Sequence, residues 1–201
     1  MQNISTMNEQ ELVLALIKGE ESAYREVVNN YQIIVFNTCL GMLHDSDAAK
    51  DISQDVFIEL FKSIHKFRGD SKLSTWLYRI SINKSLNYIR DNKKYSFTKS
   101  IQRFFISDNQ QGLEIEDYSV KSPLHNFEQQ EHAAALHKAI EGLNNRQKTA
   151  FVLKNYDDLS YKQIADIMKI SLSSVESLIH RARLNLQKSL QDYYYTHFQD
   201  S

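Results

Sequence analysis

Residues 160–186 read SYKQIADIMKISLSSVESLIHRARLNL, and their periodicity sets the fold class. Ser160 stands as an N-cap ahead of a short helix, YKQIADIMK, because a seryl oxygen accepts from the unpaired N–H groups of a first helical turn. The turn Lys169-Ile170-Ser171 follows, then a longer helix from about Ser173 to Leu190. Ile164, Ala165 and Met168 share one face of the first helix, and Val175, Leu178, Ile179, Ala182 and Leu186 share one face of the second, at the spacing of buried stripes. Ala165 is small enough to let two helices cross closely, as a helix-turn-helix requires. Ser173, Ser174, Glu176, Ser177, His180, Arg181 and Arg183 are left outside. Short hydroxyls at a helix start and cations further along suit base edges and phosphates of a major groove. A purely structural α-hairpin is the alternative.

Before this unit, two further helices are expected over about Glu131 to Gly142 and Asn145 to Tyr156, with Leu136, Ile140, Leu143, Ala150, Phe151 and Leu153 inward. His132 and His137 lie five residues apart and do not share a helix face, so no metal site is expected there. Residues 95–130 contain the only proline, Pro123, and Gly112, and turn acidic through Asp108, Glu114, Glu116, Asp117 and Glu128. Such a stretch reads as an interdomain linker. Phe104, Phe105 and Ile106 are unusually apolar for a free one.

The segment from Lys62 to Arg103 carries eleven basic residues against Asp70 and Asp91, a local charge of +9 in a chain whose formal net charge is -1. That concentration is the footprint of a nucleic-acid surface. Its middle should be one helix opened by a Ser71 or Ser74 cap and running from Trp76 to Asn92. Trp76, Leu77, Ile80 and Leu86 are spaced for burial, leaving Tyr78, Arg79, Asn83, Lys84, Asn87, Tyr88 and Arg90 outward. Cations that track phosphates, rings that stack on unpaired bases and Asn amides that read base edges suit a melted strand. A basic helix can also lie on an anionic membrane, but Trp76 and its neighbours are needed for packing.

The earlier helices read as follows. Asn8 and Glu11 form a capping-box pattern for a first helix in which Leu12, Leu16 and Ile17 share a face. A second begins at Glu21 or Ser22, buries the stripe from Tyr24 to Cys39, and ends at Gly41. A third, capped by Asp45 or Ser46, buries Ala49, Ile52, Val56 and Leu60. It turns Asp51, Gln54, Asp55, Ile58 and Glu59 outward, with Phe57 at the rim. An acidic face is commonly just solvated, or it docks a basic protein groove.

Five glycines, one proline and no Asn-Gly or Asp-Gly dipeptide in 201 residues leave little to turn a hairpin. The expected fold is therefore all-α: two small helical domains joined by a flexible linker, at 1–94, 95–130 and 131–201. Lone Cys39 fits a reducing compartment and a core position. The amino terminus has no basic stretch followed by an apolar run, and no window reaches the roughly 20 apolar residues of a membrane span. A cytoplasmic chain is expected. No nucleophile with a base, phosphate-cradling glycine loop or metal cluster is visible, so neither catalysis nor a cofactor is expected.

Three blocks in this order resemble one family. DAAKDISQDVFIELF (47–61), KFRGDSKLSTWLYRISINKSLNYIR (66–90) and the stretch from Leu143 to Leu186 resemble extracytoplasmic-function sigma factors of the sigma-70 family. The resemblance implies a subunit that binds core RNA polymerase, directs it to promoters and helps open the DNA. It assigns contact with the β′ clamp helices to Asp51, Gln54, Asp55 and Phe57. It assigns capture of a flipped minus-ten base to the loop of Phe67, Arg68, Gly69, Asp70, Ser71 and Lys72, with Arg79 and Asn83 on the following helix near the strand. Minus-thirty-five DNA falls to Ser173, Ser174, Ser177, His180, Arg181 and Arg183, and the second domain would also touch the β flap. An anti-sigma factor is a further implied partner, and membrane insertion is not implied. Asp55 stands where the family often has Glu, Lys169 where Gly is common, and Glu176 and Leu178 where relatives are often basic. The rival reading is a stand-alone helix-turn-helix regulator whose first domain senses a signal or dimerises.

Overall fold

The structure, a computed structural model, describes residues 8–105 and 125–198. Among these the chain is helical: α1 (Glu9–Ile17), α2 (Glu21–Leu43), α3 (Ser46–Ser63), a 3-10 turn (Ile64–Lys66), α4 (Leu73–Phe105), α5 (His125–Glu141), α6 (Asn145–Asn155), α7 (Tyr161–Met168) and α8 (Leu172–Phe198). No described helix is long and apolar enough to cross a membrane.

The caps follow the local chemistry. Asn8 and Glu11 form a reciprocal capping box on α1, and Ser160 and Gln163 form another on α7. Asp45 accepts from Asp47 N–H and Ala48 N–H at the start of α3, so one side chain satisfies two orphan donors. The start of α4 departs from a serine cap. Leu73 N–H donates to the Glu9 carboxylate, 2.8 Å away on α1, so a long-range acid takes that donor and ties the first helix to the fourth.

Two other boundaries differ from the sequence expectation. Gly41 lies inside α2, which ends at His44 in the left-handed region. A Cβ built on Gly41 would sit 2.8 Å from Val152 Cγ1 and 3.1 Å from the Tyr156 ring, so this glycine serves close approach rather than termination. Helix α4 continues to Phe105 and α5 begins at His125, so the expected linker starts and ends in helix. The physical reason is that no glycine or proline occurs between Leu73 and Gln111. Ile106 and the acids from Asp108 to Asp117 lie outside the described residues.

Helices α1 to α3 and the first half of α4 enclose one core, in which Leu16, Val27, Val35, Val56, Leu60, Leu73 and Leu77 are fully buried. Cys39 is part of it. Trp76 packs at its edge with its ring centroid 5.2 Å from that of Phe67, in line with a packing role. Ile17 does not join the buried stripe of α1; Ala15 does. A second cluster, Ile140, Leu143, Ala182 and Leu186, holds α5 against α8. Leu136, expected inward, is 38% exposed, because α5 meets α8 along a different stripe.

The third cluster joins the two halves. Tyr78 and Ile82 of α4 pack with Ala150, Leu153, Ile164, Val175, Leu178 and Ile179 from α6, α7 and α8. Tyr78 was expected outward and is 7% exposed; the apolar seam of the second half covers it. The halves are docked.

Candidate nucleic-acid interface

The acidic residues of α3 form an open face. Asp51, Gln54 and Asp55 are exposed, while Phe57 is half-buried. Gln54 and Phe57 border a groove of about 450 Å³ whose other wall is α2, through Val28, Gln32, Ile33 and Phe36. Ile33 is 69% exposed. The sequence signal for this α2 wall was Ile33, a large apolar residue outside the buried stripe. Glu59 does not belong with the free acids: Lys84 Nζ lies 3.2 Å from its carboxylate, linking α3 to the basic helix.

The turn from Phe67 to Lys72 follows the 3-10 segment. Gly69 has φ of +74° with open space around a would-be Cβ, a conformation that glycine adopts without steric cost. Arg68, Asp70 and Lys72 are exposed, and Phe67 is half-buried against Trp76. On one side the loop faces the second half across a space of about 420 Å³ that also meets Arg79 and Gln163. On the other it faces α1.

Arg79 is not turned to solvent. Its Nε donates to Ile167 O at 3.0 Å and its Nη2 to Asp166 O at 2.6 Å. Those carbonyls belong to the last turn of α7, where backbone acceptors lack helical partners and carry the negative end of the helix dipole. Asn83, one turn further along α4, is exposed and borders a groove of about 380 Å³ with Asn145, Arg146 and Lys169.

The seam has polar members too. The Thr38 hydroxyl donates to Ile34 O at 2.8 Å and to Asp157 Oδ2 at 3.1 Å, one proton serving two acceptors. Burial pushes the Asp157 carboxyl up to about 6, although the Thr38 bond works the other way. His44 stacks on His137 with ring centroids 4.6 Å apart. Burial, then the charges of Lys148 and His137, push His44 down to about 4. Burial, then the charge of Asp157, push the Tyr78 phenol up to about 12.

In the second half the turn and the starts of both helices take their expected places, while α8 runs on past Leu190 to Phe198. Lys169 has φ of +54°, so a lysine holds the left-handed residue of the helix-turn-helix. Ser171 carries a role that the sequence had left to the turn. Its Oγ accepts from Ser174 N–H and pairs with the hydroxyls of Ser173 and Ser174, capping α8. Ser174 is consequently half-buried, while Ser173, Ser177, His180, Arg181 and Arg183 are exposed. Leu178 is buried in the seam cluster, which accounts for a leucine at that point of α8.

Comparison with known proteins agrees with this architecture. The family model for Sigma-70 region 2 matches residues 27–95, and that for Sigma-70, region 4 matches residues 133–186. The RNA polymerase sigma-H factor of Pseudomonas aeruginosa is 32% identical over 187 residues, covering 91% of this chain and 94% of that protein. The ECF RNA polymerase sigma factor SigW of Bacillus subtilis is 32% identical over 184 residues, covering 87% and 92%. Among solved structures, RpoE of Bartonella quintana in complex with the anti-sigma factor NepR superposes with a TM-score of 0.55 at 19% identity, over 84% of this chain and 96% of that one, a likeness of fold. With both family regions matched in order and relatives aligned over nearly their whole length, the chain belongs to the sigma-70 family as an extracytoplasmic-function RNA polymerase sigma factor.

Proposed function

We propose a division of labour within this sigma factor. The first domain, residues 1–94, docks core polymerase through Asp51, Gln54, Asp55 and Phe57 and opens the minus-ten element with the Phe67–Lys72 loop, Arg79 and Asn83. The second, residues 131–201, reads minus-thirty-five duplex with Ser173, Ser177, His180, Arg181 and Arg183, and Ser174 holds the start of that helix. The observation that carries the reading is the separation of the two faces. The acids of α3 are exposed on one helix, while the cations and Asn83 lie on the loop and helix that follow. Core contact and strand contact can therefore be made at once. Charge supports the strand assignment, since the segment from Lys62 to Arg103 carries a net charge of +9 and its exposed cations can replace counterions along phosphates. Extruding a base costs a few kcal/mol, which such a surface offsets.

The partners implied are core RNA polymerase, through its β′ clamp helices and β flap, promoter DNA, and an anti-sigma factor of the kind seen on RpoE. The chain acts in the cytoplasm and as a binding subunit rather than a catalyst. Docked as described, the free chain holds Arg79 against α7, so strand binding requires the halves to part.

The test is Arg79→Ala combined with Asn83→Ala, assayed as holoenzyme on a promoter found by mapping transcription starts in vitro. Promoter opening should slow while affinity for core polymerase stays. Loss of core affinity, or opening at the wild-type rate, would overturn the division.

A further inference from the structure

We propose that the groove closed between α4 and the α6–α7 side of the second half binds a purine nucleoside mono- or diphosphate, and that the bound nucleotide holds the two halves together. The site depends on the docked arrangement and not on which faces meet promoter DNA.

The charge in this lining has one sign. Arg79, Arg146 and Lys169 border the groove, and no described acid does. Arg146 and Lys169 are exposed and form no ion pair among the described residues. Cations that converge on one concavity without a carboxylate attract an anion. Arg79 also helps indirectly. By taking Asp166 O and Ile167 O, it covers carbonyls at the negative end of α7 that would otherwise repel one.

Hydrogen-bond donors stand open beside these cations. Asn144 takes the Gln147 N–H at 3.0 Å, which leaves the N–H groups of Asn145 and Arg146, in the first turn of α6, without a helical acceptor. One turn further along, Thr149 is 4% exposed and lines the groove, and its hydroxyl has no partner among the described residues. Buried hydroxyls are ordinarily paired, so this one is open to an oxygen of a ligand.

The rest of the lining is apolar: Ile82 and Leu86 of α4 with Ile167 and Met168 of α7. That surface suits two fused rings better than a bare phosphate, and Asn83 adds an amide for a base edge. The groove encloses about 380 Å³, at the lower end of the range of about 300–1,000 Å³ usual for small-ligand sites. An acidic peptide would satisfy the cations but leave the apolar surface uncovered, so the combination favours the nucleotide. Because α4 supplies one side and α6 and α7 supply the other, the groove exists only while the halves are docked. A ligand of the docked form alone shifts the chain toward it, and that form keeps Arg79 against α7.

The full-length free chain is titrated calorimetrically with AMP, ADP, GMP and GDP, with inorganic phosphate, adenosine, guanosine and a poly-aspartate peptide as separate arms. At least one nucleotide should bind about tenfold or more tightly than phosphate or its own nucleoside. Arg146→Gln on α6 and Leu86→Ala on α4 should each weaken that nucleotide about tenfold, and Thr149→Val about fivefold. Arg146→Lys should recover part of the loss, since it keeps the charge but not the fork. Thermal unfolding verifies that each variant folds, and Arg146→Gln, being exposed, keeps the site falsifiable if Leu86→Ala does not. Holoenzyme carrying Arg146→Gln should open its promoter at the wild-type rate without nucleotide. Binding by none of the four nucleotides, equal binding of phosphate, or an affinity unchanged in Arg146→Gln overturns the site. A loss on α6 with none in folded Leu86→Ala would confine the ligand to one half and overturn its role in docking. Binding of the peptide in place of the nucleotides would give the groove to a protein partner. Failure of the division of labour would appear instead in the holoenzyme test of Arg79 and Asn83, which contains none of these ligands.

Discussion

Arg79 Nε donates to the Ile167 carbonyl oxygen at 3.0 Å, so a side chain assigned to the melted strand instead closes the last turn of α7. Both acceptors for this guanidinium are main-chain carbonyls, a planar-fork arrangement that an ammonium does not reproduce. Hydrogen bonds to a charged donor contribute about 1.5–3 kcal/mol when buried. Arg79 is only half-buried, which puts its share of docking nearer about 1 kcal/mol. Arg79→Ala should therefore raise the fraction of free chain with parted halves, and Arg79→Lys should lie between. Energy transfer between dyes on α2 and α8 reads this directly. Transfer unchanged in Arg79→Ala would remove Arg79 from the docking contacts.

Gly41 makes the sharper case for close approach. In an isolated helix, alanine is favoured over glycine by about 1 kcal/mol. Here, the added carbon would meet Val152 Cγ1 at 2.8 Å, on a side chain that is fully buried. Gly41→Ala should therefore stabilise the first half yet loosen the docking, and Gly41→Leu should part the halves. Small-angle scattering of the free chain should report a larger radius for Gly41→Leu. An unchanged radius would show that the seam yields by shifting.

The seam also carries opposed proton linkages. Asp157 faces Thr38 on α2 and Tyr78 on α4, and its docked pKa of about 6 lies above its ordinary 3.8. Docking therefore disfavours its ionised form: the penalty is full above pH 6 and is relieved as pH falls toward 3.8. His44 faces His137, Lys148 and Tyr156, and its docked pKa of about 4 lies below 6.5. Docking requires it neutral, so docking weakens as pH falls from 6.5 toward 4. The two effects oppose each other between pH 6 and 4. Asp157→Asn should expose the histidine, with docking weakening steadily below pH 6.5. His44→Asn, a residue tolerant of the left-handed backbone at that position, should expose the aspartate, with docking strengthening as pH falls from 7 to 4. Energy transfer across a pH series checks both slopes; matching slopes in the two variants would refute the assignment.

What was legible in the sequence, and what was not, divides along local and long-range physics. Asn8 with Glu11, Asp45 or Ser46, and Ser160 announced their caps, because a cap is made within four residues. The buried stripes of α3 and α8 were equally plain, since each helix meets its core along one regular face. Tyr78 and Gly41 were misassigned for a single reason. Both lie on the seam, and no periodicity within α4 or α2 records that another half of the chain will cover it. Glu9 is similar: its role is to take Leu73 N–H from sixty-four residues away. Among the residues assigned to DNA, exposure agreed for Asn83, Ser173, Ser177, His180, Arg181 and Arg183 and differed for Arg79 and Ser174. Backbone carbonyls of α7 hold the Arg79 side chain, and the Ser171 hydroxyl pairs with that of Ser174.

Lys169 offers a test of backbone strain separate from docking. With φ of +54° and ψ of +49° it occupies the left-handed region, which costs an L-residue other than Gly or Asn about 1–2 kcal/mol. Lys169→Gly should recover part of that, less the extra chain entropy that glycine loses on folding, for a net gain near 0.5 kcal/mol at about the lower limit of detection. Lys169→Asn keeps a Cβ and should gain without the entropic penalty. Thermal unfolding at fixed pH compares the three, and a lower midpoint for both variants would show that Lys169 makes a stabilising contact that outweighs its strain.

Arg181 and Arg183 are exposed on α8, beyond the capped start at Ser171. Arg181 Nε donates to Ser177 O at 3.1 Å, an exposed intrahelical bond that leaves its terminal nitrogens for phosphate. A side chain that neutralises one phosphate releases about one condensed counterion. Its removal should therefore lower the slope of log affinity against log salt by about 1, with a similar loss on every promoter sequence. Ser177→Ala should behave differently if its hydroxyl reads a base edge: a loss confined to promoters with the accepted base, and a salt slope unchanged. Titrations of holoenzyme on minus-thirty-five duplex at several salt concentrations separate the two. An unchanged slope for Arg181→Ala would place its guanidinium away from phosphate, and a sequence-independent loss for Ser177→Ala would give that hydroxyl a backbone contact instead.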